Sequence, residues 1–225
     1  MRNNIKSSVA LACALTVLSS VLLLGCDQRS SESTGATAGG KEVVAAPAKP
    51  TAFKSVDITG ADYAKQLSLT DFDGKKRTLA DFKGKVVFVF FGFTQCPEVC
   101  PTTMAELAEV KRRLGKDGDR VQGVFITIDP ERDTAEVLKA YLTGMDPSFI
   151  GLRGSLDEVN AASRDFKVFY QKVPTQDGKG YTMDHTAGGF VFDPSGQVRL
   201  FVRYGLGVDA LTSDIKQLLA LGSGS

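Results

Sequence analysis

The sequence predicts an α/β domain with a central mixed sheet flanked by helices. Three observations carry this. Two long runs, Lys85-Val-Val-Phe-Val-Phe-Phe-Gly-Phe93 and Val121-Gln-Gly-Val-Phe-Ile-Thr-Ile128, are almost continuously apolar and rich in β-branched and aromatic residues. That is the composition of strands buried on both faces of a sheet. Segments with helical spacing of apolar residues alternate with them, and a late pair of apolar runs flanks a turn signal, as in an antiparallel hairpin.

Taken in order, Asp71-Phe-Asp-Gly-Lys75 followed by Arg77-Thr-Leu79 reads as an N-terminal hairpin on an Asp73-Gly74 turn. The buried strand 85–93 follows. Ala105, Leu107, Ala108, Val110 and Leu114 recur at helical spacing, and Thr103-x-x-Glu106 has the form of a capping box. After the second strand, Asp133-x-x-Glu136 opens a helix over 134–143 in the same way. Phe149-Ile-Gly-Leu152 is a short strand and 156–166 a helix. Gly189–Phe192 and Val198–Val202 pair around Asp193-Pro-Ser-Gly196, and Val208–Leu221 closes the domain as an amphipathic helix. Parallel strands first and an antiparallel pair late is the thioredoxin arrangement, with extra material inserted before the last hairpin.

The 225 residues suffice for a sizeable core, and 43% hydrophobic with 24% charged residues is globular composition. The first 25 residues form a leader. Arg2 and Lys6 precede an apolar run that ends Leu23-Leu24-Gly25-Cys26, which resembles a bacterial lipobox with Cys26 as the acylated residue. An uncleaved anchor is the alternative, because the run approaches the roughly 17 residues that span a bilayer. Either reading puts the body of the protein outside the cytoplasm and against a membrane. Lipidation contributes about 0.8 kcal/mol per buried methylene, so a multiply acylated Cys26 would hold firmly. Asp27 is the residue that marks inner-membrane retention in enterobacterial lipoproteins. The expected location is therefore the extracytoplasmic face of the inner membrane of a bacterial envelope. Residues 26–53 are rich in Ser, Gly, Ala, Thr and Pro and read as a flexible tether, 54–221 as the folded domain, and 222–225 as a frayed tail. Loss of Arg2 and Lys6 with the leader turns the formal +1 into about −1, so electrostatic binding to nucleic acid is excluded as a working reading. Nothing in the composition asks for more than a monomer.

Cys13 lies in the leader and Cys26 at its end, which leaves Cys96 and Cys100 as the two thiols of the folded domain. They stand in Cys96-Pro-Glu-Val-Cys-Pro101, where a buried strand gives way to a helix, the usual position for a site in α/β sheets. A helix N-terminus favours thiolate over thiol. A spacing of four is one helical turn, which puts the two Cβ atoms about 5–6 Å apart on one side. Pro101 marks the expected start of the regular helix, with 96–100 as an irregular first turn. Such a pair can be a permanent disulfide, a redox-active one, or a joint ligand for a soft cation. A bridge closing so short a loop constrains the unfolded chain little, which favours the second and third readings.

His185 is the only histidine. A lone histidine by itself reads as a hydrogen-bonded surface or core residue. In the thioredoxin arrangement, however, the loop entering the late hairpin packs over the cysteines. Thioredoxins carry a cis-proline there, whereas Asp184-His185-Thr186 stands at that point in this chain and no proline lies between Pro174 and Pro194. Two sulfurs and one imidazole make a three-coordinate site that suits Cu(I), and imidazole accepts either copper oxidation state. Asp129, at the end of the second buried strand, is either an acceptor that orients a ligand or docks a partner, or a strand terminator. Phe88, Phe90, Phe91 and Phe93 read as core and shielding.

Cys96-Pro-Glu-Val-Cys-Pro101, Asp129-Pro-Glu-Arg-Asp-Thr134 and Asp184-His185-Thr186 together resemble the Sco/SenC family, in the same order over 60–221. These are membrane-tethered, thioredoxin-fold proteins implicated in building the binuclear copper site of cytochrome c oxidase. The resemblance implies that Cys96, Cys100 and His185 bind one copper and that the two cysteines cycle between dithiol and disulfide. The implied partner is the copper-accepting oxidase subunit, with other periplasmic copper carriers or thiol reductases beside it. Two functions stay open: a copper chaperone acting by ligand exchange, and a thiol–disulfide oxidoreductase that reduces the acceptor's cysteine pair. Peroxide reduction does not fit, because the Pro-x-x-x-Thr-x-x-Cys pattern is missing before Cys96.

Overall fold

At the centre lies β4 (Val86–Gly92), every residue of which is buried. The computed structural model describes residues 52–222. The expected leader, Cys26, the tether up to residue 51 and the last three residues lie outside them. Before β4 come β1 (Val56–Asp57), β2 (Leu69–Asp71) and β3 (Lys76–Arg77). After it come α1 (Val99–Leu114), β5 (Val121–Thr127), α2 (Ala135–Thr143), β6 (Ile150–Arg153) and α3 (Leu156–Asp165). A ribbon of β7 (Tyr170–Pro174) and β8 (Tyr181–His185) precedes β9 (Gly188–Phe192), β10 (Val198–Arg203) and α4 (Val208–Leu221).

Eight strands form one mixed sheet in the order β1-β10-β9-β4-β5-β6-β2-β3. β4, β5 and β6 are parallel, with Phe90 opposite Phe125, while β9 runs antiparallel to β4 and β10 to β9. The all-apolar runs of β4 and β5 follow from this placement, since helices cover both faces. α1 and α4 pack together on one face. On the other, Phe166 at the end of α3 meets Phe91, Phe190 and Phe192. The N-terminal hairpin forms as expected, β2 against β3, at the sheet edge beside β6. Its second arm is shorter than expected, because Leu79–Phe82 coils into a 3-10 turn.

Two expected helix caps are corrected. Thr103 lies inside α1 and not at its start; its hydroxyl donates to Val99 O at 2.7 Å. The helix begins at Val99, two residues before the start expected at Pro101, so Cys100 is already helical; Pro101 sits in the first turn, where a missing N–H costs nothing. The cap of α2 is Thr134, whose side chain accepts from Val137 N, and not Asp133, which turns inward. A capping box does form at α3, between Ser155 and Glu158. β1 and the β7–β8 ribbon add to the expected elements, and the ribbon is what the material inserted before the last hairpin becomes.

Candidate metal centre

At the carboxyl end of β4 the chain bends, and Cys96 N donates to Phe93 O at 3.2 Å before α1 starts. Cys100 is the second residue of α1, and its backbone N–H donates to Cys96 Sγ at 3.3 Å. Glu98 at the cap position makes no side-chain capping bond, so the Cys96 sulfur takes over a helix N–H that a capping oxygen would otherwise satisfy. This arrangement polarises the pair. The Cys96 sulfur is lowered from its ordinary value near 9 to about 5, chiefly by the hydrogen bond from the Cys100 thiol and then by the N–H groups of Cys100 and Glu98. Cys100 is pushed up by the same shared proton and by burial. Cys96 is half-buried and Cys100 fully buried, and both are free thiols.

Gly92 makes room for this. A Cβ there would lie 2.8 Å from Cys100 Sγ and 2.9 Å from the Phe125 ring, so only glycine lets the buried sulfur pack against the end of the strand.

His185 ends β8, just before β9 as expected, and faces the cysteines. Its Nε2 lies 3.8 Å from Cys100 Sγ. Its Nδ1 lies 3.0 Å from Thr186 O; a carbonyl can only accept, so Nδ1 carries the proton and Nε2 presents its lone pair to the sulfurs. Phe90 and Phe93 meet the imidazole edge-on, each with ring centres 6.0 Å away, which fixes its plane and confirms their shielding position. One ligand atom from each of Cys96, Cys100 and His185 lies within 4.8 Å of the others, and among the described residues these three form the group of such donors.

The loop after β5 supplies supports that sequence reasoning placed only in part. Asp129 is 1% exposed; its carboxylate accepts from Arg132 Nε and from Tyr181 OH at 2.9 Å. It thus acts on the strand that carries His185 without touching the imidazole. Asp133, fully buried, accepts from Thr94 N, Thr94 Oγ1 (2.6 Å) and Thr127 Oγ1 (2.6 Å), which holds the turn before Cys96 to the end of β5. Burial above all, with the negative charge of Cys96 and Asp133 beside it, raises the Tyr141 phenol. The sequence signals were the charged cluster at 129–133 and a glycine ending an aromatic strand; neither states its partner.

Residues 56–220 match the SCO1/SenC family. The chain belongs to it. Mouse SCO2 homolog, a mitochondrial protein, is 40% identical over 139 residues, 61% of this chain and 53% of that protein, so the chain spans about half the length of this relative. Bradyrhizobium japonicum ScoI, solved with copper bound, is 42% identical with a TM-score of 0.62, covering 68% of this chain and 98% of that one. Apo Sco1 from Thermus thermophilus is 37% identical with a TM-score of 0.67, covering 75% and 98%. The thioredoxin-like fold expected from the order of elements is the fold of these SCO1/SenC relatives. Among the described residues no helix is long and apolar enough to cross a membrane.

Proposed function

We propose that this SCO1/SenC chain binds one copper ion through Cys96, Cys100 and His185 and delivers it to the binuclear copper site of cytochrome c oxidase during assembly. The observation that carries the reading is the convergence of two sulfurs and an imidazole nitrogen within 4.8 Å, in a chain 42% identical to a protein solved with copper. The donor set fits. Two soft thiolates suit Cu(I), and a neutral imidazole with its far nitrogen already bonded is a ready third ligand. Cys96 meets the ion as a thiolate, and Cys100 gives up its proton on binding. Two thiolates with Cu(I) leave a net −1, and Cu(II) leaves neutrality. Copper is cargo here. An acceptor thiolate entering beside the half-exposed Cys96 displaces His185 or one cysteine, and transfer passes through a shared-ligand intermediate. The lipobox-like Leu23-Leu24-Gly25-Cys26 supports a lipid anchor on Cys26, with residues 26–53 as tether and the domain at the extracytoplasmic face of the inner membrane.

A second reading rests on the low pKa of Cys96. A half-exposed thiolate beside a protonated partner is the attacking sulfur of a thiol–disulfide exchange, with Cys100 resolving the mixed disulfide. Complementation of oxidase assembly separates the two. In cells lacking the protein, Cys96→Ser or Cys100→Ser restores no oxidase under either reading. His185→Ala fails only under the chaperone reading, and full rescue by it would favour the reductase.

A further inference from the structure

We propose that Arg132 is the clamp that holds His185 over the two sulfurs, so that copper affinity is set in part by a residue that touches neither sulfur nor imidazole. The inference deepens the copper reading above and rests on it.

The strand that ends in His185 is weakly seated by itself. β7 and β8 pair only with each other and stand outside the eight-stranded sheet. Within the ribbon only Met183 is buried. A two-stranded ribbon is marginally stable in water, so the place of its last residue depends on what fastens it to the body. Phe169 and Thr186 bond to each other across the ribbon's base, which closes the ribbon without anchoring it. Tyr170 OH donates to Asn160 Oδ1 on α3 at 2.7 Å, fastening β7. Lys172 pairs with Glu131 at 2.6 Å, but both side chains are about half exposed, where such a pair contributes little.

Arg132 fastens β8. Nη1 donates to Tyr181 O at 2.8 Å and to Gln95 Oε1 at 3.0 Å, and Gln95 is the residue before Cys96. Nε donates to the buried Asp129 carboxylate, which also receives the Tyr181 hydroxyl. The guanidinium carbon lies 3.8 Å from the centre of the Tyr181 ring. One planar cation therefore grips the segment leading into Cys96 and the first residue of the strand that ends in His185. Lysine cannot reproduce this, since an ammonium has no fork to reach both acceptors while lying flat on the ring.

The experiment is a double-mutant cycle on the reduced full chain, read as Cu(I) affinity in competition with a chromophoric chelator, with the apo melting temperature recorded for each protein. The proteins are the parent, Arg132→Lys, Tyr181→Ala, His185→Ala and the two doubles with His185→Ala. Arg132→Lys keeps a cation beside Asp129, and Tyr181→Ala leaves the Arg132–Asp129 pair whole, so the clamp is tested even if one variant folds poorly. The expected result is an affinity loss of about tenfold or more in Arg132→Lys and in Tyr181→Ala, with no further loss when either is added to His185→Ala. A residue that merely supports the fold would weaken binding equally in both backgrounds. Equal losses in both backgrounds, or parent-like affinity in both single variants, overturn the clamp while leaving the copper reading intact. Parent-like affinity in His185→Ala overturns the copper reading and the clamp with it.

Discussion

Cys100 Sγ and His185 Nε2 lie 3.8 Å apart although 85 residues separate them in the chain. Neither is placed by its own local structure alone. Cys100 is held by the first turn of α1 and the gap at Gly92; His185 is held by a ribbon, a carbonyl and two phenylalanine rings. The consequences can be tested one at a time.

Copper binding releases a proton from the site. Above about pH 6 Cys96 is already a thiolate, because its pKa is lowered to about 5, whereas Cys100 is raised and remains protonated. Binding both sulfurs therefore displaces the Cys100 proton, and Cu(I) affinity should rise about tenfold per pH unit between about pH 7 and about pH 9. Chelator competition across that range checks the slope, and calorimetry in buffers of different ionisation enthalpy checks the count of one proton. A flat profile would mean that both sulfurs are deprotonated beforehand.

The two cysteines should alkylate in a fixed order. The thiolate is the reactive form, so in the reduced apo protein the half-exposed Cys96 reacts first and the fully buried Cys100 is protected. Its rate with iodoacetamide should climb up to about pH 6 and then level off, where an ordinary thiol would keep accelerating toward its value near 9. Peptide mapping after partial labelling reads the order.

Gly92→Ala should damage the centre from behind. The added methyl would meet Cys100 Sγ at 2.8 Å and Phe125 at 2.9 Å, both in a packed core. Overpacking of this kind costs about 1–3 kcal/mol. Thermal unfolding should show that loss, and copper affinity should fall in the same protein because the sulfur must move.

Ser155→Ala separates stability from function. It removes the N-cap oxygen that accepts from Glu158 N on α3, which is remote from the cysteines in the chain. The expected cost is about 1 kcal/mol in denaturant unfolding, with copper affinity unchanged.

Much of this was legible in the sequence, for a physical reason in each case. β4 and β5 could be read because strands covered on both faces carry no polar alternation to confuse them. The cysteine spacing and the single histidine narrowed the metal donors to one set. The ribbon could not be read: most of Tyr170–Pro174 and Tyr181–His185 faces solvent, with only Met183 buried, and Pro174 argues against a strand. Thr103-x-x-Glu106 and Asp133-x-x-Glu136 had the right letters for caps, but tertiary contacts won. α1 starts at Val99, well before Thr103, and Thr94 and Thr127 drew Asp133 inward. Arg132 was invisible for the same reason, since all its meaning lies in partners from Gln95 to Tyr181.

The most direct measurement is the stoichiometry and affinity of Cu(I) in the reduced protein with and without His185. One copper per chain, with binding weakened severely in His185→Ala and Cys96 still the first of the two cysteines to alkylate, is the expected result. Equal affinity in the two proteins, or copper bound in the absence of both Cys96 and Cys100, would contradict a centre built from two sulfurs and that imidazole.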